Sequence, residues 1–152
     1  MNTLKIKKLH PDAIVPTRAH KTDAGLDLYA NESVPVTNGT KISTGIAVDI
    51  PEGFEGTIRP RSGLTSKTRL RVQLGTIDAG YNGEVKVIVD YGNDVNFDEE
   101  KMEILKMYHK IRKGDKIAQL VISPIVTPKP IVVEDFDSES ARGANGFGST
   151  GR

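Results

Sequence analysis

Apolar residues along this chain recur with period two far more often than with a helical period, which is the signature of half-buried strands. In TGIAVDI, Ile46, Val48 and Ile50 fall on one face, with Ala47 and Asp49 on the other. In EVKVIVDY, Val85, Val87 and Val89 oppose Lys86, Ile88 and Asp90 in the same way. The pattern predicts further strands over residues 4–9, 26–30, 54–59, 70–74, 116–123 and 131–136. Turn residues punctuate them at Asn38-Gly39, Pro51-Glu52-Gly53, Asn82-Gly83, Tyr91-Gly92-Asn93 and Lys113-Gly114-Asp115. Many short strands separated by such turns predict an all-β barrel or sandwich.

Three stretches depart from that pattern. Residues 94–112 read either as a helix opening at Asp98, with Ile104, Leu105, Tyr108 and Ile111 on one face, or as a strand through Met102 and Ile104. Prolines at 124, 128 and 130 exclude a helix and suit an extended chain crossing a surface. Ile131, Val132 and Val133 then need cover, which a neighbouring subunit could supply. The end, RGANGFGSTGR, cannot bury itself, yet carries Phe147 in a chain with only four Phe and four Tyr.

With 152 residues the chain fits one domain with one core. A formal net charge of +1 gives no support to nucleic-acid or membrane attraction. No Cys is present, which excludes disulfides, thiolate nucleophiles and Cys-ligated zinc. The start shows no signal-peptide pattern and no run reaches transmembrane length, so a cytoplasmic protein is expected.

His10, His20 and His109 are widely spaced and form no metal pair, and no Ser sits in a nucleophile elbow. RPRSGLTSK offers more. Arg61 presents a planar fork of donors, and Ser62 with the Gly63 N–H can approach an oxyanion closely, as phosphate requires, although an ordinary basic turn has the same composition. In GTIDAGYNGEVKV, Asp78 ends an apolar run where a carboxylate could deprotonate a water, and Tyr81 with Asn82-Gly83 suggests a tight hairpin. A turn Asp with local hydrogen bonds is equally compatible. Asp23 and Asp27 bracket a short strand, and KGDKIAQLV reads as a turn entering a buried strand that carries Gln119.

Together and in order, DAGLDLYA, PRSGL, GTIDAGYNGE, KGDKIAQL and RGANGFGSTG resemble the five motifs of the trimeric dUTP diphosphatase (dUTPase) family, over residues 23 to 151. The resemblance implies a β-clip, jelly-roll-like subunit in a homotrimer, with three sites at subunit junctions. It implies hydrolysis of dUTP to dUMP and pyrophosphate, assisted by Mg²⁺. The β domain would span residues 1–137, and residues 138–152 would be a mobile arm closing over substrate.

By the same resemblance, Asp78 would activate the water that attacks the α-phosphorus and hold the 3′-hydroxyl. Tyr81 would lie beneath the sugar and exclude a 2′-hydroxyl. The hairpin opening at Gly75, Thr76 and Ile77 and returning through Lys86 would read uracil, mostly with backbone groups. Arg61, Ser62, Gly63 and Gln119 would bind phosphate oxygens. Mg²⁺ would be held mainly by the phosphates and water, with Asp27 in an outer-shell or structural role. From the arm, Arg142 would pair with the terminal phosphates, Phe147 would stack on uracil, and Gly148, Ser149 and Thr150 would wrap the γ-phosphate.

Two features depart from the family pattern. Ala79-Gly80 stand where an acidic residue is common. The stretch 93–111 is longer than the usual connection, either as a surface loop or as the kind of insert with which some phage members bind a regulatory protein. A dCTP deaminase-like relative of the same fold is the alternative enzyme reading.

Overall fold

Alternation in the sequence becomes burial in the structure. The computed structural model describes residues 3–92 and 110–136. In β9 (Lys86–Tyr91), Val87 and Val89 are fully buried while Lys86 is exposed, and Val85 just before it is buried with them. In β5 (Ile46–Asp49) the buried set is Ile46, Ala47 and Val48, with Asp49 in solvent. The remaining strands are β1 (Lys5–Lys8), β2 (Gly25–Tyr29), β3 (Val34–Pro35), β4 (Thr40–Ser43), β6 (Phe54–Arg59), β7 (Leu70–Val72), β8 (Gly75–Ile77), β10 (Lys110–Ile111) and β11 (Lys116–Pro124). A short helix, α1 (Ser62–Lys67), follows β6.

All strand pairings among the described residues are antiparallel. One sheet has the order β2-β11-β6-β8 and a second the order β4-β9-β7, while β1-β5 and β10-β3 form two-stranded ribbons. Leu28, Ile58, Ile77, Ile117 and Leu120 from the first sheet meet Ile42, Val72, Val87 and Val89 from the second in one core. This is an all-β, jelly-roll-like arrangement of the β-clip type. Each of these buried aliphatic side chains contributes roughly 1.5–3 kcal/mol by leaving water, so the core fixes the register of β11. That strand is central because it pairs with both β2 and β6.

Three expectations change. Residues 131–136 form no strand, and Ile131 and Val132 are exposed; Pro130 removes an amide donor, and among the described residues no sheet edge is paired to the segment. The stretch after Arg61 is helical rather than a loop, with a hydrogen bond from the Thr65 N–H to the Arg61 carbonyl at 3.1 Å. The segment after β8 is no tight hairpin, because β8 pairs with β6 whereas β9 pairs with β4 and β7. Its turn lies at Ala79-Gly80, where the Tyr81 N–H reaches the Asp78 carbonyl at 3.2 Å and Gly80 takes φ +86°, a left-handed position suited to glycine. Lys110 and Ile111 form β10, while the rest of the 93–111 stretch, to residue 109, lies outside the described residues.

Candidate active site

The chain crossing from β8 to β9 changes sheets, and the crossing opens a cavity of about 490 Å³ between them. Gly75, Thr76, Ile77, Tyr81 and Lys86 all line it, together with Glu84 and Lys41. Asp78 is exposed on the turn between the lining residues Ile77 and Tyr81. The Tyr81 ring folds back over the turn, and its hydroxyl donates to the Glu84 carbonyl at 3.1 Å. That position requires Gly83: a β-carbon there would sit 2.4 Å from the Tyr81 hydroxyl.

Glu84 anchors the loop to the β4–β5 turn. Its carboxylate accepts hydrogen bonds from the Ser43 hydroxyl and from the Gly45 N–H at 2.9 Å, and Lys86 Nζ lies 3.5 Å away. Burial pushes its pKa up, but the Ser43 and Gly45 hydrogen bonds and the Lys86 charge outweigh burial and hold it below the usual carboxylate range.

A second cavity, of about 320 Å³, is lined by Asp23, Gly25, Asp27, Arg61, Ser62, Gly63 and Gln119 among others. Arg61, at the start of α1, donates through Nε to Asp27 Oδ1 at 2.7 Å and through Nη1 to the Lys116 carbonyl at 3.3 Å. Gln119 crosses over Gly25 and donates to the Pro60 carbonyl at 2.9 Å. Guanidinium, hydroxyl, first-turn amides and a carboxamide on one concave surface make a phosphate-sized set of donors.

The structure thus brings the predicted residues together as two groups within a chain: one around β8, with Asp78 on the adjoining turn, and one around Arg61. Among the described residues, none lines both cavities. The arm residues Arg142, Phe147, Gly148, Ser149 and Thr150 lie outside the described residues, as does His109. Reading the sequence missed Lys116, whose Nζ lies 2.8 Å from Asp27 Oδ2, and the anchoring role of Glu84. Glu84 stood within a quoted motif, but only the fold brings Ser43 to it.

Among the described residues, no cluster of three or more His, Cys, Asp or Glu is placed to hold a metal. Both Asp27 oxygens are engaged by cations. With both oxygens so engaged, Asp27 faces cationic side chains and is not free to serve as an inner ligand of a metal ion. Among the described residues, no helix is long and apolar enough to cross a membrane.

A jelly-roll-like subunit with a sheet-crossing nucleoside-sized cavity and a separate anion cradle defines a class of nucleotide-binding enzymes. The dUTPase family model matches residues 11–151, and the chain belongs to the dUTPase family. It is 44% identical to the deoxyuridine 5′-triphosphate nucleotidohydrolase of Clostridium tetani, covering 99% of this chain and 97% of that protein. It is 41% identical to that of Saccharomyces cerevisiae, covering 97% and 94%. Among solved structures, the Staphylococcus bacteriophage 80alpha dUTPase with dUPNHPP matches with a TM-score of 0.86 and 39% identity over the whole of both chains. The dUTPase of phage phi11 of S. aureus, in a mutant form described as revealing the coordination of a structural Mg(II) ion, matches with a TM-score of 0.76 and 38% identity, covering 90% of this chain and 100% of that one.

Proposed function

We propose that this protein hydrolyses dUTP to dUMP and pyrophosphate. One observation carries the reading: Gly75, Thr76, Ile77, Tyr81 and Lys86, the residues expected to read uracil and sugar, line a single cavity with Asp78 at its edge. Base recognition falls to the backbone of β8 and the strand returning through Lys86. The Tyr81 ring packs beneath the sugar, where a 2′-hydroxyl finds no room. Arg61, Ser62, Gly63 and Gln119 hold phosphate oxygens and align the chain of phosphates.

Asp78 takes a proton from a water, which attacks the α-phosphorus as the pyrophosphate departs. Mg²⁺, when bound with the substrate phosphates, would supply charge neutralisation and orientation, with Asp27 in an outer-shell role at most. The Asp78 edge and the Arg61 cavity share no lining residue within one chain, which supports a complete site formed between subunits of a homotrimer, with Asp78 and Arg61 coming from different chains. The glycine-rich arm, residues 138–152, closes over it, with Arg142 on the terminal phosphates, Phe147 on uracil, and Gly148, Ser149 and Thr150 around the γ-phosphate.

The test is pyrophosphate release with Mg²⁺ across dUTP, UTP, dTTP and dCTP. Release from dUTP alone supports the reading, and ammonia release from dCTP would replace it with a deaminase. Full-length similarity to a phage protein whose family is described as controlling transfer of virulence genes favours a second output through residues 93–111, binding a regulatory protein. Identical pull-down partners with and without that segment would remove it.

A further inference from the structure

β11 carries an irregularity where it meets β2: Gln119, Leu120 and Val121 pair in step with Asp27, Leu26 and Gly25, but between Ala118 and Lys116 the register slips by one residue. In a regular ladder, Ile117 would face Tyr29 and Lys116 would point to the opposite face of the sheet. The slip instead pairs Lys116 with Tyr29, and so turns its side chain to the face that holds Asp27 and Gln119. Bulges re-aim side chains in this way and seldom occur without use.

Lys116 Nζ reaches Asp27 Oδ2 at 2.8 Å and also sits 5.8 Å from the centre of the Tyr29 ring. Asp27 is buried, and its other oxygen holds Arg61. Lys116 does not itself line the phosphate cavity. Arg61 and Asp27 alone would form a neutral pair, in which the carboxylate cancels much of the field that the guanidinium presents to a phosphate. Adding Lys116 leaves the three-residue cluster with a net charge of +1.

We propose that Lys116 is a positioning residue for triphosphate binding: it occupies the second oxygen of Asp27, which keeps Arg61 oriented and the cavity electropositive. This rests on the phosphate-binding role given above to Arg61. The Asp27 hydrogen bond and charge raise the Lys116 pKa, so the ammonium stays charged throughout the neutral range.

The experiment compares wild type, Lys116→Arg, Lys116→Gln and Lys116→Met for binding of the non-hydrolysable imido analogue of dUTP and of deoxyuridine, with thermal unfolding alongside. Loss of one charge several ångströms from the phosphates weakens triphosphate binding roughly tenfold. The expected result is that loss in the Met and Gln variants, unchanged deoxyuridine affinity, and wild-type behaviour in Lys116→Arg. In hydrolysis the loss falls on KM more than kcat. Gln keeps a donor to Asp27 without the charge, which separates charge from folding. Unchanged triphosphate affinity in both neutral variants, or an equal loss for deoxyuridine and the triphosphate, overturns the proposal. A wild-type protein that neither binds the analogue nor hydrolyses dUTP would instead remove the functional reading beneath it.

Discussion

Gln119 passes over Gly25 so closely that a β-carbon on the glycine would lie 2.3 Å from Gln119 Oε1 and 2.9 Å from its Cβ. The second distance matters more, because Cβ is fixed to the β11 backbone and cannot swing away. Gly25 therefore sets the path by which Gln119 reaches the Pro60 carbonyl just before Arg61, and the glycine of one strand controls a proposed phosphate-binding group on another.

Gly25→Ala should accordingly damage both stability and activity. Overpacking of this kind costs about 1–3 kcal/mol, read as a lower denaturation midpoint. Displacement of Gln119 should also lower kcat/KM for dUTP by about tenfold or more. Wild-type kinetics in Gly25→Ala would show that Gln119 does not need this position.

Gly83 and Tyr81 pose the same question in the other cavity. A side chain at 83 would strike the Tyr81 hydroxyl and ring carbon Cζ, at 2.4 and 2.5 Å, so Gly83→Ala must move the ring. The expected outcome is a higher KM for dUTP and a narrower gap between dUTP and UTP, measured as the ratio of their kcat/KM values. Tyr81→Phe keeps the ring and loses only the hydrogen bond to the Glu84 carbonyl, so its discrimination should stay near wild type.

These contacts show which parts of the molecule are legible in one dimension. Alternation locates β6 and β9 because each buries one face against the core, and that pressure is written directly into the residue types; β5 and β11 are found as well, although successive residues such as Ala47-Val48 and Leu120-Val121 are buried there. Residues 131–136 show how the same inference fails: Ile131, Val132 and Val133 have strand composition, but composition cannot say whether a partner strand is present. The turn after Asp78 is misplaced by the sequence pattern because Asn82-Gly83 is a strong turn pair, whereas the fold uses Gly80 for the positive φ and Gly83 to make room for Tyr81. Lys116 could not be read at all. Its partner lies 89 residues earlier, and the register slip that aims it leaves no mark in the local pattern.

Glu84 gives a pH prediction with a definite sign. Its folded-state pKa lies below the ordinary value of 4.5, so the folded protein holds that proton more weakly than the unfolded chain does. The stabilisation is fully present above about pH 4.5 and is lost as the pH falls through the lower, folded-state value. Glu84→Gln should melt earlier than wild type at neutral pH, with the two melting curves converging at acid pH. A constant difference across that range would mean that the Ser43 and Gly45 hydrogen bonds, not the charge, carry the effect.

The separation of Asp78 from the Arg61 cavity leads to the most discriminating experiment. Asp78→Asn removes the proposed base and should cost about 10²–10⁴-fold in turnover while leaving analogue binding largely intact. Arg61→Ala should lose activity through the phosphates. If one chain supplied both residues to a site, no mixture of these two variants could contain an intact one. If the site forms across a subunit junction, a trimer containing both variants can pair the Asp78 of one chain with the Arg61 of another. Random mixing at equal amounts leaves about a quarter of the junctions with both functional residues. Refolding the two inactive proteins together and assaying pyrophosphate release therefore distinguishes the geometries: recovery towards that fraction requires Asp78 and Arg61 to meet from different chains, and continued inactivity in a properly assembled mixture places them in the same one.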